Sequence, residues 1–183
     1  MTILPIVTGV DTPILRAKAK DVSSVTPELR MRARDMAHTM QSAEGIGLAA
    51  PQVGTGVRLF VVHPLAFTSN DSRYSVREGV TSIEELKTLA FFNPVIHTCS
   101  KRSDIAEEGC LSLPGIVGFV ERSTRIVFEA LDINGNRIAI SAKGLLARVI
   151  QHECDHLEGV LIVDKLVPDP DPTKRVTYKR YNH

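Results

Sequence analysis

Cysteine is scarce in this chain. Cys99, Cys110 and Cys154 are an odd number at irregular spacings, which excludes an orderly disulfide framework and fits reduced thiols in a reducing compartment. Such staples are not needed, because 183 residues can bury roughly 70% of the surface that an unfolded chain exposes. Nor is there a surplus of one charge: a net +1 supplies no strong pull toward nucleic acid or an anionic membrane. Long apolar runs are missing too. The opening MTILPIVTGV has no basic stretch ahead of its apolar residues, Pro5 interrupts it, and nothing approaches the roughly 20 apolar residues of a membrane span. Repeats, low-complexity tracts and a separating linker are absent as well. What remains is the expectation of a single cytoplasmic domain over residues 1–183, monomeric, with an ordinary 43% of hydrophobic and 23% of charged residues.

The chain carries clear element signals. Thr26-Pro27-Glu28 predicts a helix start, with a hydroxyl cap, proline at the first helical position and an acidic first turn. Leu29, Ala33, Met36, Ala37 and Met40 continue it at helical spacing, and Gly45 is the expected stop. GIGLAAPQVGTG is too rich in glycine to be regular, and VRLFVVH after it is a strand by its β-branched content. Residues from Phe67 to about Thr88 read as a surface loop, with Ser82 and Glu85 as a capping box for one short turn. LAFFNPVI predicts a strand ended or edged by Pro94. RIVFEALDINGNRIAISA predicts a hairpin about Asn134-Gly135. A second helix is expected from about Leu145 to Glu158, stopping at Gly159. The tail VPDPDPTKRVTYKRYNH reads as a loosely held terminus.

The second helix carries the chemistry. Leu145, Val149, His152 and His156 fall on one face, and Leu146, Ile150, Glu153 and Leu157 on the neighbouring one. Two histidines therefore continue one apolar stripe, and a glutamate interrupts another. Burying such groups is costly unless they are paired or bound to something. The arrangement is HExxH, in which two imidazoles one turn apart grip a metal ion and the glutamate handles a proton beside its open coordination position. The plainer alternative is a pair of satisfied core histidines and a fortuitous glutamate.

A third protein ligand is expected. Downstream, Glu158 lies on the wrong face, Asp164 sits in an apolar run, and His183 is the last residue. Upstream, EEGCLSLPG offers Cys110, whose thiolate is a good soft ligand. Taken alone, Cys110 reads more simply as a small buried hydrophobe.

Three stretches taken together decide otherwise. GIGLAAPQ (45–52), EGCLS (108–112) and QHECDH (151–156) resemble, in that order and without a substitution at the fixed positions, the motifs of the peptide deformylase family. The resemblance implies an α+β fold, with small antiparallel and mixed sheets packed around a central metal-binding helix. It also implies hydrolysis of the N-formyl group from formylmethionine at the start of nascent polypeptides. The ligands it implies are Cys110, His152 and His156, holding one divalent metal ion, natively Fe²⁺, with Zn²⁺, Ni²⁺ or Co²⁺ as substitutes. Glu153 would be the general acid/base, and Gln52 with the backbone N–H of Leu111 the donors to the formyl oxygen. Gly45, Ile46, Gly47 and Gly109 would bind an extended peptide through main-chain groups, with the two motif glycines allowing close approach or φ > 0. Ile46, Leu145, Val149 and the His152 ring would line the methionine pocket.

Further details follow from the same resemblance. Glu108 and Arg122 match a charged pair supporting the cysteine loop, and Asp155 is a candidate for orienting a ligand. Arg148 stands where some members have an aliphatic residue, and reads most simply as a surface arginine. The 62–91 region is longer than in many members, and the proline-punctuated tail replaces a long C-terminal helix. Partners are expected to be N-formylmethionyl peptides and nascent chains, with at most transient ribosome contact. The rivals are a metallopeptidase-like hydrolase with a different third ligand, and a non-catalytic metal-binding homologue.

Overall fold

A computed structural model describes residues 1–70, 72–78 and 89–170. The helices are α1 (Pro13–Arg16), α2 (Pro27–Ser42), α3 (Leu65–Thr68) and α4 (Leu145–Leu157). The strands are β1 (Gly47–Ala49), β2 (Leu59–Val62), β3 (Arg73–Glu78), β4 (Ala90–Cys99), β5 (Ser103–Gly109), β6 (Val117–Ser123), β7 (Arg125–Leu131), β8 (Arg137–Lys143) and β9 (Leu166–Val167). They form a six-stranded sheet in the order β1-β2-β4-β7-β8-β3 and a three-stranded sheet in the order β5-β6-β9. The architecture is α+β, as expected. Among the described residues every ladder is antiparallel, so neither sheet is mixed as the resemblance implied, and the one parallel pairing is an isolated bridge between Lys20 and Val57.

Strand periodicity divides the core. In β2, Phe60 and Val62 face the cluster that contains Leu146, Ile150 and Leu157 of α4, whereas Leu59 and Val61 face Met36 and Met40 of α2. In β4, Phe91 faces the first cluster and Ala90 and Phe92 the second. The large sheet is thus covered on both faces at β2 and the start of β4, so these two stretches read as continuous apolar runs, whereas β7 alternates buried and half-buried residues. A third cluster, with Leu15, Leu113, Val120, Leu161 and Ile162, closes the small sheet against the N-terminal segment.

Helix α2 starts as its sequence predicts, with the Thr26 hydroxyl accepting from the Leu29 N–H. Its end differs. Glu44, not Gly45, takes the left-handed conformation at φ 54°. Glu44 N–H donates to the Gln41 carbonyl and Gly45 N–H to that of Met40, which is a Schellman closure displaced by one residue from the expected stop.

Three other local expectations are corrected and one is refined. The glycine-rich stretch is regular: Gly47–Ala49 pairs with β2, and Ala50–Val53 forms a 3-10 turn. The supposed loop after Phe67 contains β3, which pairs with β8 despite its polar composition. Its capping box at Ser82 and Glu85 lies outside the described residues. Pro94 does not end β4, because the register shifts between Phe92 and Val95, and Asn93 adopts φ 47° while its side chain bonds both backbone groups of Val22. A bulge is where a strand tolerates proline. The expected hairpin about Asn134-Gly135 does form, between β7 and β8; its turn is held by the Asp132 carboxylate, which accepts from the Asn134 and Asn136 N–H groups, and of the turn pair only Gly135 has positive φ. The tail from residue 171 onward lies outside the described residues.

Candidate metal centre

Helix α4 lies between the two sheets, and its faces bear out the stripes read from the sequence. Leu146, Ile150, Glu153 and Leu157 are buried, as are Val149 and His156, while Leu145 and His152 are half-buried. Cys110 follows directly on β5, in the turn that leads to β6. Its Sγ and ring nitrogens of His152 and His156 all lie within 4.8 Å of one another, and Sγ is 3.3 Å from His156 Nε2. A tetrahedral ion bound at about 2.3 Å to sulfur and 2.1 Å to nitrogen would separate its donors by roughly 3.5 Å. One sulfur and two imidazoles form a borderline-soft donor set suited to a first-row divalent ion. Glu158 and Asp164, the downstream candidates, are instead paired with Lys18 and Arg58, and with Arg16.

The groups around this cluster fit an ion. Glu153 is buried, and its Oε2 has no hydrogen-bond partner among the described residues, nor has His156 Nδ1. Burial pushes the Glu153 carboxyl up to about 7, with His152 pulling the other way. A divalent cation beside it opposes that shift. Burial holds His156 neutral, well below its ordinary range, which is the form a metal ligand needs. For His152, burial disfavours charge, but Cys110 and then Glu108 and Glu153 outweigh it and raise the imidazole to about 10 in the metal-free protein. Binding of a cation at the ring displaces that proton.

Glu108 fixes the His152 ring. Its Oε2 receives His152 Nδ1 at 2.9 Å and Arg122 Nη2 at 2.9 Å, and its Oε1 receives Arg122 Nε at 2.9 Å and Arg148 Nη1 at 2.8 Å. Burial alone would raise this carboxyl, but the hydrogen bonds from Arg122 and His152 reverse that and hold it well below the usual carboxylate range. Arg122 also pairs with Asp155, which Lys165 holds from the other side at 2.7 Å. Arg148 is not a surface arginine. It is 9% exposed and also donates to the Val120 and Asp104 carbonyls and the Asp104 carboxylate. The signal for this was present in the sequence, since Arg148 lies one helical turn before His152 among buried neighbours, where a charge needs partners.

Gln52 is buried and its orientation is pinned. Its Oε1 accepts from the Ala49 N–H at 2.8 Å, so the amide nitrogen faces the cluster, 3.5 Å from Cys110 Sγ and 3.2 Å from Ser112 Oγ. A cavity of about 430 Å³ opens beside the cluster. Gly45, Ile46, Gly47, Gln52, Gly109, Leu111, Leu145, Val149, His152 and Glu153 all line it, as do Glu44, Glu107 and Val117, which the sequence did not single out. The cavity lies between β1 and β5, an edge strand of each sheet.

The motif glycines serve close approach, not positive φ. A Cβ on Gly47 would lie 2.2 Å from Glu153 Oε1, and one on Gly45 would lie 2.8 Å from Leu111 Cδ1. Gly47→Ala is therefore expected to displace the Glu153 carboxylate and lower kcat by on the order of 10²-fold. Metal content and melting temperature should stay close to those of the parent, because β1 keeps its pairing. Steady-state kinetics with metal analysis checks this, and an unchanged kcat would show that the carboxylate has no fixed position to lose.

A metal-dependent hydrolase is the class of protein that this helix and its neighbouring thiol define. The chain belongs to the polypeptide deformylase family, whose model matches residues 3–171. Members of this family are metal-dependent enzymes that remove the N-formyl group from nascent chains. A peptide deformylase of Thermodesulfovibrio yellowstonii is 43% identical over 155 residues, which cover 85% of this chain and 84% of that one. The crystal structure of peptide deformylase from Thermotoga maritima superposes with a TM-score of 0.77 at 36% identity, covering 92% of this chain and 100% of that one. A Met-Ala-Ser-bound class I type b peptide deformylase from Acinetobacter baumannii gives a TM-score of 0.74 at 30% identity, covering 90% and 99%. Among the described residues no helix is long and apolar enough to cross a membrane.

Proposed function

We propose that residues 1–183 form one catalytic unit in which Cys110, His152 and His156 hold the metal, natively Fe²⁺, and Glu153 moves the proton. The observation that carries this reading is the convergence of the three donors within 4.8 Å beside a buried carboxylate oxygen that has no other partner among the described residues. A bound divalent ion supplies Lewis acidity and lowers the pKa of a coordinated water from about 15.7 toward 7.

The remaining work falls to the chain. Glu153 accepts a proton from the attacking water and returns it to the leaving amine, so that formate and a free N-terminus result. The Gln52 amide and the Leu111 N–H donate to the formyl oxygen as it gains charge, each such donor being worth about 3–4 kcal/mol. Glu108, held by Arg122 and Arg148, keeps His152 in one tautomer and orientation. The methionine side chain enters the cavity between Leu145, Val149 and the His152 ring. The main chain lies extended along Gly45–Gly47 and Gly109, so that backbone groups rather than side chains read the peptide beyond its first residue. The Acinetobacter relative with Met-Ala-Ser bound supports this placement by analogy. The protein acts on nascent chains as a cytoplasmic monomer, with transient ribosome contact at most.

The test is release of formate from formyl-Met-Ala-Ser by protein loaded anaerobically with Fe²⁺ or Ni²⁺. Formate is expected with either ion, and none above blank would favour a non-catalytic binder. With Fe²⁺, activity should decay in air and be protected by a peroxide scavenger, because a thiolate ligand is open to oxidation. Equal half-lives with and without oxygen would count against iron.

A further inference from the structure

Arg148 borders two spaces. It lines the cavity of about 430 Å³ beside the metal cluster, and also a neighbouring groove of about 710 Å³ formed by Ser100, Arg102, Asp104, Thr124 and Lys143. Among the described residues, Glu107 and Leu145 are the only others that line both. Glu107 is exposed and Leu145 is the first residue of its helix, whereas Arg148 is held from β5 through Asp104 and Glu108 and from β6 through the Val120 carbonyl. A long side chain stretched between α4 and two strands, with both terminal guanidinium nitrogens hydrogen-bonded, makes a fixed wall. Because its head is occupied by two carboxylates, the wall presents hydrocarbon rather than unpaired charge to an apolar occupant.

We propose that Arg148 is a specificity-determining residue: it closes the inner end of the first-residue pocket against the outer groove and so sets the longest side chain the enzyme accepts. This rests on the reading that the cavity takes the side chain of the formylated residue. An aliphatic residue at this position would leave the pocket bounded differently, so the limit belongs to this chain and not to the metal chemistry. Removing the wall joins the pocket to the groove, and a bulky aromatic first residue that formerly clashed gains a place to extend.

The experiment measures kcat/KM for formyl-Met-Ala-Ser, formyl-Phe-Ala-Ser and formyl-Trp-Ala-Ser, and binding of the deformylated Met-Ala-Ser and Trp-Ala-Ser by calorimetry. Arg148→Ala is expected to shrink the preference for methionine over tryptophan by roughly tenfold or more, mainly through KM, with tighter binding of Trp-Ala-Ser. Arg148→Met, which retains a long stem, should keep most of the preference. Asp104→Ala removes an exposed anchor of the guanidinium without disturbing the buried pair, and should move the ratio the same way by about two- to threefold. This variant carries the test if Arg148→Ala does not fold. A lower rate on all three substrates with an unchanged ratio would mean that Arg148 only supports Glu108, and the proposal fails. If the parent enzyme itself shows no preference for methionine, the reading of the cavity fails instead.

Discussion

Glu153→Ala should lose roughly 10²–10⁴-fold in turnover while keeping its metal. The carboxylate is not one of the three converging donors, so its removal leaves Cys110, His152 and His156 in place. What disappears is the group that holds a proton between water and the departing amine. Burial raises this carboxyl to about 7 in the metal-free protein, and the charge of a bound ion draws it down again. A base acts as carboxylate, so the acid limb of kcat/KM should fall at or below about pH 7 in the parent and vanish in the variant. Metal per chain, kcat and the pH profile test the three parts together. Undiminished deformylation in the variant would overturn the proposed mechanism.

Cys110→Ala should instead lose the metal itself. Two imidazoles on one helical turn remain, but the soft charged donor that completes the set is gone, and with it the proton released on binding. Metal content after gel filtration is expected to fall from near one per chain toward zero, and formate release with it. A second reading does not depend on activity. Excess metal should raise the melting temperature of the parent, because an ion that binds only the folded state stabilises it by mass action, and should leave that of the variant unmoved. Full occupancy in the variant would point to a different third ligand and revive the metallopeptidase-like reading.

The sequence is most legible where one physical signal is undisturbed by distant neighbours. The stripes of α4 place Glu153 and both histidines because helical spacing alone decides which residues share a face. Thr26 caps α2 because a cap needs only residues three positions apart. The strands lined by Phe60 and Phe91 announce themselves because both faces of the sheet are covered. Distant pairing is what the sequence hides. The 73–78 segment is polar and reads as a loop, yet the β8 edge supplies its hydrogen bonds. The glycines of GIGLAAPQ suggest irregular backbone, whereas Gly47 is there to make room for a carboxylate from a helix about a hundred positions away. For Arg148 the helical stripe signals burial, but its partners, Asp104 and Glu108, stay hidden because they lie on another element.

The two edge strands that flank the cavity carry one more consequence. An unpaired strand margin is ordinarily a template on which a second molecule can polymerise. Here β1 is only three residues long, short of the five or six of an ordinary strand, and exposed Glu44 and Glu107 stand at the cavity between the two margins. Two copies approaching margin to margin would bring these acids together. Pairing of two copies through these margins would thus be opposed by like charge at the mouth of the cavity.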